Sequence, residues 1–264
     1  MKLKNPVNMF YKPVTFQSLI LLLALIFIGA DVSAQKVTAA DIIEKADQLL
    51  RGNSSYSEMS MIIERPKWKR EIRLKGWSKG TEYSLLYITY PAKEKGQVFL
   101  KRGNEMWNYI PSIERMVKLP PSMMMQSWMG SDMTNDDLVK GASIVKDYNH
   151  KIIKEDKIGD YDCYVIELIP KETAAVVWGR IVSWVSKKGY MTLKNEYYDE
   201  DDFLVNVETL TNIKNVGDRI MPTRFEIVPV DKPNQKTILE FLTIKFEVKL
   251  DDEFFSIQNM KKIR

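Results

Sequence analysis

Few residues in the chain could do covalent or metal chemistry. Its 264 residues include one histidine, His150, and one cysteine, Cys163. A lone cysteine excludes an intrachain disulfide and any multi-cysteine metal site. Any Ser-His-Asp mechanism would depend on a single ring. His150 falls in a run of alternating polar and apolar residues, which reads as a surface or structural imidazole. Cys163 lies beside Tyr164 and Val165 inside a strand-like run and reads as a small packed hydrophobe. No G-x-S-x-G, H-E-x-x-H, P-loop or G-x-G-x-x-G is present. Asp199-Glu200-Asp201-Asp202 lacks the glycine and ligand spacing of a calcium loop, so a solvated hairpin turn is expected. Asp132, Asp136 and Asp137 read as helix caps and solvated charges. Lys69, Arg73 and Lys75 share one strand face that could meet anionic head groups. The solvated outer face of an edge strand accounts for them more simply. No catalytic residue, metal ligand or cofactor follows, and the chain does not read as an enzyme.

The chemistry the sequence does favour is soft and apolar. Five of the fourteen methionines fall between Met123 and Met133, with Trp128 among them. Methionine is flexible and polarizable, so it suits surfaces that accept ligands of variable shape. A lid over an apolar cavity and a plain plug for a barrel core both fit this segment.

Those residues need elements to position them. Thr38 to Leu50 reads as an amphipathic helix, capped by Thr38 with Asp41 three residues on, and stopped by Gly52. Beyond it the period changes to two. Strand-like runs recur about every ten residues from Met59 to Lys118 and from Tyr148 to Val248, with turn signals such as Gly159-Asp160 and Gly217-Asp218 between them. That spacing suggests an antiparallel sandwich or barrel. Tyr83–Tyr90 and Thr237–Phe246 are apolar on both faces, so each face must meet a helix, another sheet or a ligand. Between the two series, residues 119–142 are irregular. Ser122 could cap a short helix pairing Met124 with Trp128, and Thr134 with Asp137 could cap a second.

The amino terminus has the pattern of a cleaved export signal. Lys2, Lys4 and Lys12 precede the apolar run Leu19 to Ile28, and Val32-Ser33-Ala34 offers small residues for cleavage. The expected organisation is a signal over 1–34 and one domain over 35–264. The net charge of +4 is too balanced for a nucleic-acid binder.

The stretch FLKRGNEMWNYIPSIERMVKLPPSMMMQSWMGSDMTNDDL, residues 99–138, resembles the LolA-like outer-membrane lipoprotein-sorting proteins. The likeness extends to residues 77–96, AAVVWGR (174–180), EYYDEDDFLVN (196–206) and DDEFFSIQNMKKIR (251–264). It implies a mainly β fold, an unclosed antiparallel barrel of about eleven strands, with short helices forming a lid over a cavity for acyl chains. It also implies a periplasmic, non-enzymatic carrier of lipoprotein or phospholipid acyl chains, placed between an inner-membrane transporter and an outer-membrane acceptor. The expected lid residues are Met123, Met124, Met125, Trp128 and Met129. The expected cavity wall is Trp77, Tyr83, Leu85, Phe99 and Trp107. An envelope sensor or adaptor that binds a membrane protein is the alternative. A carboxylate-based hydrolase lacks a convincing acid pair.

Overall fold

The computed structural model describes residues 37–140 and 144–263. Helix α1, Ala39–Arg51, starts with the expected capping box. The Asp41 N–H donates to Thr38 Oγ1 at 3.1 Å, and the Thr38 N–H donates to Asp41 Oδ2 at 3.0 Å. At its end Gly52 takes φ +65°, a left-handed backbone that favours glycine. Ile42, Ile43 and Ala46 form its buried stripe.

Thirteen strands form one antiparallel sheet: β1 (Ser54–Arg65), β2 (Trp68–Lys79), β3 (Tyr83–Tyr90), β4 (Val98–Arg102), β5 (Glu105–Ile110), β6 (Arg115–Lys118), β7 (Tyr148–Ile158), β8 (Tyr161–Pro170), β9 (Arg180–Ser186), β10 (Thr192–Tyr198), β11 (Leu204–Val216), β12 (Arg219–Pro229) and β13 (Lys236–Phe246). The count exceeds the expected eleven, because even the short β4 and β6 are full members of the ladder. Two meanders meet where β1 pairs with β13, and the order runs from β6 through β1 and β13 to β7. The sheet is unclosed, with β6 and β7 as its edges. Strand β2 is therefore interior, paired with both β1 and β3. The Lys69–Arg73 face is not an edge: Lys69 pairs with Glu64 and Arg73 with Glu71.

This topology dictates what covers the sheet. The chain leaves β6 at one edge and re-enters at β7, the other edge, and the described residues 119–140 run across a face between them. Hydrogen bonds and packing mark the route. Trp128 packs against Phe99 of β4, the Asp132 N–H donates to Thr237 Oγ1 of β13 at 2.9 Å, and Asn206 of β11 donates to the Asp132 carbonyl at 3.3 Å. Helix α1 lies on this same inner face, against β7, β9 and β12.

The segment folds partly as expected. Helix α2, Asn135–Lys140, carries the predicted cap, with Thr134 and Asp137 exchanging hydrogen bonds at 2.7 and 3.1 Å. No α-helix spans 122–130. Single 3-10 turns occupy Pro121–Met123 and Trp128–Gly130. A Ser127–Thr134 bridge and a left-handed Met129 (φ +52°) turn the chain back before a second helical turn can form.

The outer face has a different cover. The carboxy-terminal residues 249–263 bring Phe254 onto Trp77 and Phe255 onto Tyr83, with ring centroids 5.5 and 5.3 Å apart. Phe255 and Met260 are fully buried there with Leu85 and Leu100. Two apolar covers thus explain why β3 is apolar on both faces. Burying Phe255 alone contributes about 2–3 kcal/mol.

Candidate functional site

Inner-facing residues differ between the two halves of the sheet. On β1, β2, β3 and β4 they include Met61, Ile63, Ile72, Leu74, Ile88 and Phe99, and these close on Trp128 in one apolar cluster. On β9, β10 and β11 the row reads Ile181 and Ser183, then Asn195 and Tyr197, then Asn206, Glu208 and Leu210. Beneath this shorter, more polar row a cavity of about 320 Å³ remains open. Phe225 and Ile227 of β12 and Leu239 and Phe241 of β13 continue its floor. Ile43, Ala46, Asp47 and Leu50 of α1 cover it, together with residues 132–137, Ile144, Val176 and Trp178. The volume is that of a small-molecule site.

Trp178 reaches the cavity because Gly179 lets two segments touch: a Cβ on Gly179 would lie 2.4 Å from the Asp199 carbonyl oxygen. The Trp178 indole then lies tilted against the Tyr197 ring, with centroids 5.1 Å apart, and donates to Asp137 Oδ1 at 2.8 Å.

Among the described residues five carboxylates border the cavity, and no Lys, Arg or His does. Asp132 is held by both Arg65 guanidinium nitrogens at 3.0 Å and by the Thr237 hydroxyl at 2.7 Å. Asp47 is paired with Arg51, yet burial still pushes its carboxyl up. Burial raises Asp137 against the opposing hydrogen bonds from Thr134 and Trp178. Burial also raises Glu208, against hydrogen bonds from Asn195 and Tyr197, and it carries the Tyr197 hydroxyl well above its usual range. Asp132, Asp136 and Asp137 are therefore not solvated charges: they face inward beneath the crossing segment. The periodicity of β9–β11 held the missed signal, since polar residues recur there at positions whose neighbours face the core.

None of the ten residues named from the sequence borders this cavity. Trp128 is 2% exposed and meets Phe99 edge-on at 5.4 Å. Met124 and Met129 pack on the same cluster, Met123 is half-buried, and Met125 is 71% exposed. Arg70 fixes the segment by donating to the Met129 carbonyl. Trp77, Tyr83, Leu85 and Trp107 form the row on the outer face, under the carboxy-terminal segment. Strand alternation decides this: Leu85 pairs with Trp77 and Leu100 on one face, while its neighbour Leu86 points to the other with Phe99.

The remaining sequence candidates take structural places. His150 Nε2 lies 2.6 Å from the Ile144 carbonyl. Cys163 is fully buried, and burial raises its thiol. Asp199 organises a turn by accepting from the Asp201 and Phe203 N–H groups at 3.0 and 2.9 Å. The expected export signal, residues 1–34, lies outside the described residues.

A family model described as an uncharacterized-protein family matches residues 80–262, and the chain belongs to that family. A crystal structure of a LolA superfamily protein from Nitrosomonas europaea superposes with a TM-score of 0.74 at 27% identity, covering 84% of this chain and 99% of that one. The chain has a LolA-like fold. A DUF1329 family protein from Desulfovibrio piger superposes at 0.77 with 26% identity, over 84% of this chain and 97% of that one. An outer membrane lipoprotein-sorting protein domain from Vibrio parahaemolyticus shares the fold at 0.73 and 22% identity, over 84% and 98%. No curated protein sequence matches the LolA-like chain.

Proposed function

We propose that this chain is a periplasmic carrier that shelters the acyl chain of a lipid or lipoprotein in the inner-face cavity and moves it toward the outer membrane. The carrying observation is the cavity itself: a ligand-sized void bounded by the sheet, α1 and the crossing segment, with aromatic and aliphatic walls. The likeness to a lipoprotein-sorting domain and the signal-like residues 1–34 support the same reading. An acyl chain exposed to water costs about 0.8 kcal/mol per methylene, so transit between membranes requires shelter. In this reading an inner-membrane donor loads the cavity and an outer-membrane acceptor empties it. The domain over 35–264 acts by binding and release, not catalysis. Met123, Met124, Met125, Trp128 and Met129 form a displaceable plug beside the cavity. A chain too long for the void extends by lifting Trp128 off Phe99. Vesicles holding a fluorescent phospholipid provide the test. The protein should extract the lipid into the soluble fraction and deliver it to acceptor vesicles. No lipid in that fraction would refute carriage.

A further inference from the structure

Four of the cavity's five carboxylates have a structural task or partner, and one has a free oxygen. Arg51 answers Asp47, and Arg65 answers Asp132. Asp137 caps α2 and receives the Trp178 indole. Asp136 is buried and has a partner of its own. At Glu208 both hydrogen bonds arrive at the same oxygen: Asn195 Nδ2 donates to Oε2 at 2.8 Å and the Tyr197 hydroxyl at 2.9 Å. Among the described residues nothing donates to Oε1, and no cation pairs with Glu208. The side chain is half-buried. What surface it keeps opens on the cavity it borders.

This arrangement is built. The Ser183 hydroxyl donates to Asn195 Oδ1 at 2.6 Å, which fixes the amide with its Nδ2 toward Glu208. Tyr197 is held in turn by the Trp178 ring. Oε2 is thereby saturated and Oε1 left bare. Oε1 keeps its surface on the cavity, so a ligand that brings a donor there completes the hydrogen bonding of the carboxylate. An anionic head would instead meet like charges, whose repulsion is stronger in the low dielectric of the protein than in water.

Resting on the carrier reading, we propose that Glu208 Oε1 receives a hydrogen bond from the head group of the bound amphiphile. The cavity selects amphiphiles that end in an amine or a hydroxyl and rejects those that end in an anion.

The test is displacement of the neutral dye N-phenyl-1-naphthylamine by dodecylamine, dodecanol and dodecyl phosphate, each below micelle formation. The phosphate should need at least about tenfold more ligand than either of the others, equivalent to ~1.4 kcal/mol. Glu208→Gln removes the charge and should shrink the gap between phosphate and amine below about threefold. A smaller gap in the natural protein, or an unchanged gap in Glu208→Gln, overturns the head-group assignment while leaving carriage standing. If Glu208→Gln does not fold, the ranking in the natural protein decides alone. A protein that neither takes up the dye nor responds to any of the three ligands fails the carrier reading itself.

Discussion

One inner face of one sheet is treated in two ways. Over β1–β4 the crossing segment sinks Trp128 among Met61, Ile72, Leu74 and Phe99 in one buried apolar cluster. Over β9–β13 the same segment and α1 pass above shorter and more polar side chains, and about 320 Å³ stays open. Backbone architecture is common to both halves. Side-chain volume and polarity at inward-facing positions help separate the packed core from the cavity. Close packing stabilises the first half, and the second half forgoes some of that stability to keep space.

The largest expected effect breaks the packed half. Trp128→Ala should cost about 3–5 kcal/mol in denaturant unfolding, as a large aromatic lost from a core does. Trp128→Phe should cost much less, since the Trp128 indole N–H is buried without a partner among the described residues and its loss forfeits no hydrogen bond there. A Trp128→Ala protein as stable as the natural one would mean that the segment is a loose lid and not a plug.

A smaller effect sharpens the comparison electrostatically. Burial pushes the Lys101 ammonium down to about 8, with Glu82 opposing the shift. Between pH 8 and its ordinary 10.5 the unfolded chain holds a proton that the folded chain lacks, so stability rises with pH across that window. Lys101→Met should therefore stabilise the protein at pH 7 by about 2 kcal/mol, after allowing for the lost bond to the Thr81 carbonyl. The gain should vanish as thermal melts approach pH 10.5.

Glu208 predicts the opposite slope and the smallest effect. Its folded-state carboxyl is raised by burial. The stability it contributes is thus fully present below its ordinary value of 4.5 and is lost as pH rises through the raised one. Glu208→Gln should be neutral in acid and mildly stabilising at neutral pH. A stabilisation that grows toward low pH would contradict the buried-carboxyl account.

Local patterns made much of this fold legible. Thr38 and Asp41 announced α1, Thr134 and Asp137 announced α2, and period-two alternation marked the strands. The two-faced apolarity of Tyr83–Tyr90 correctly required covers on both sides. The cavity was harder to read because its boundary is set by long-range pairing. Trp77 and Leu85 look as suitable for a ligand as Phe99 does until the register places them on the outer face. The polar residues Ser183, Asn195 and Glu208 look like the wet side of a strand until β9, β10 and β11 are aligned and α1 is laid over them. Methionine density singled out the crossing segment, and the void lies beside its next stretch, at Met133.

The central claim is that the inner-face cavity holds an acyl chain. Ala46 is 3% exposed on the α1 face that covers the void, so Ala46→Phe should fill it from above. The deciding measurement is native mass spectrometry of the exported protein beside Ala46→Phe, both purified from a Gram-negative host. The account predicts one bound acyl lipid on the natural protein and none on the variant. A natural protein that emerges empty, or a variant that carries the same lipid, would contradict it.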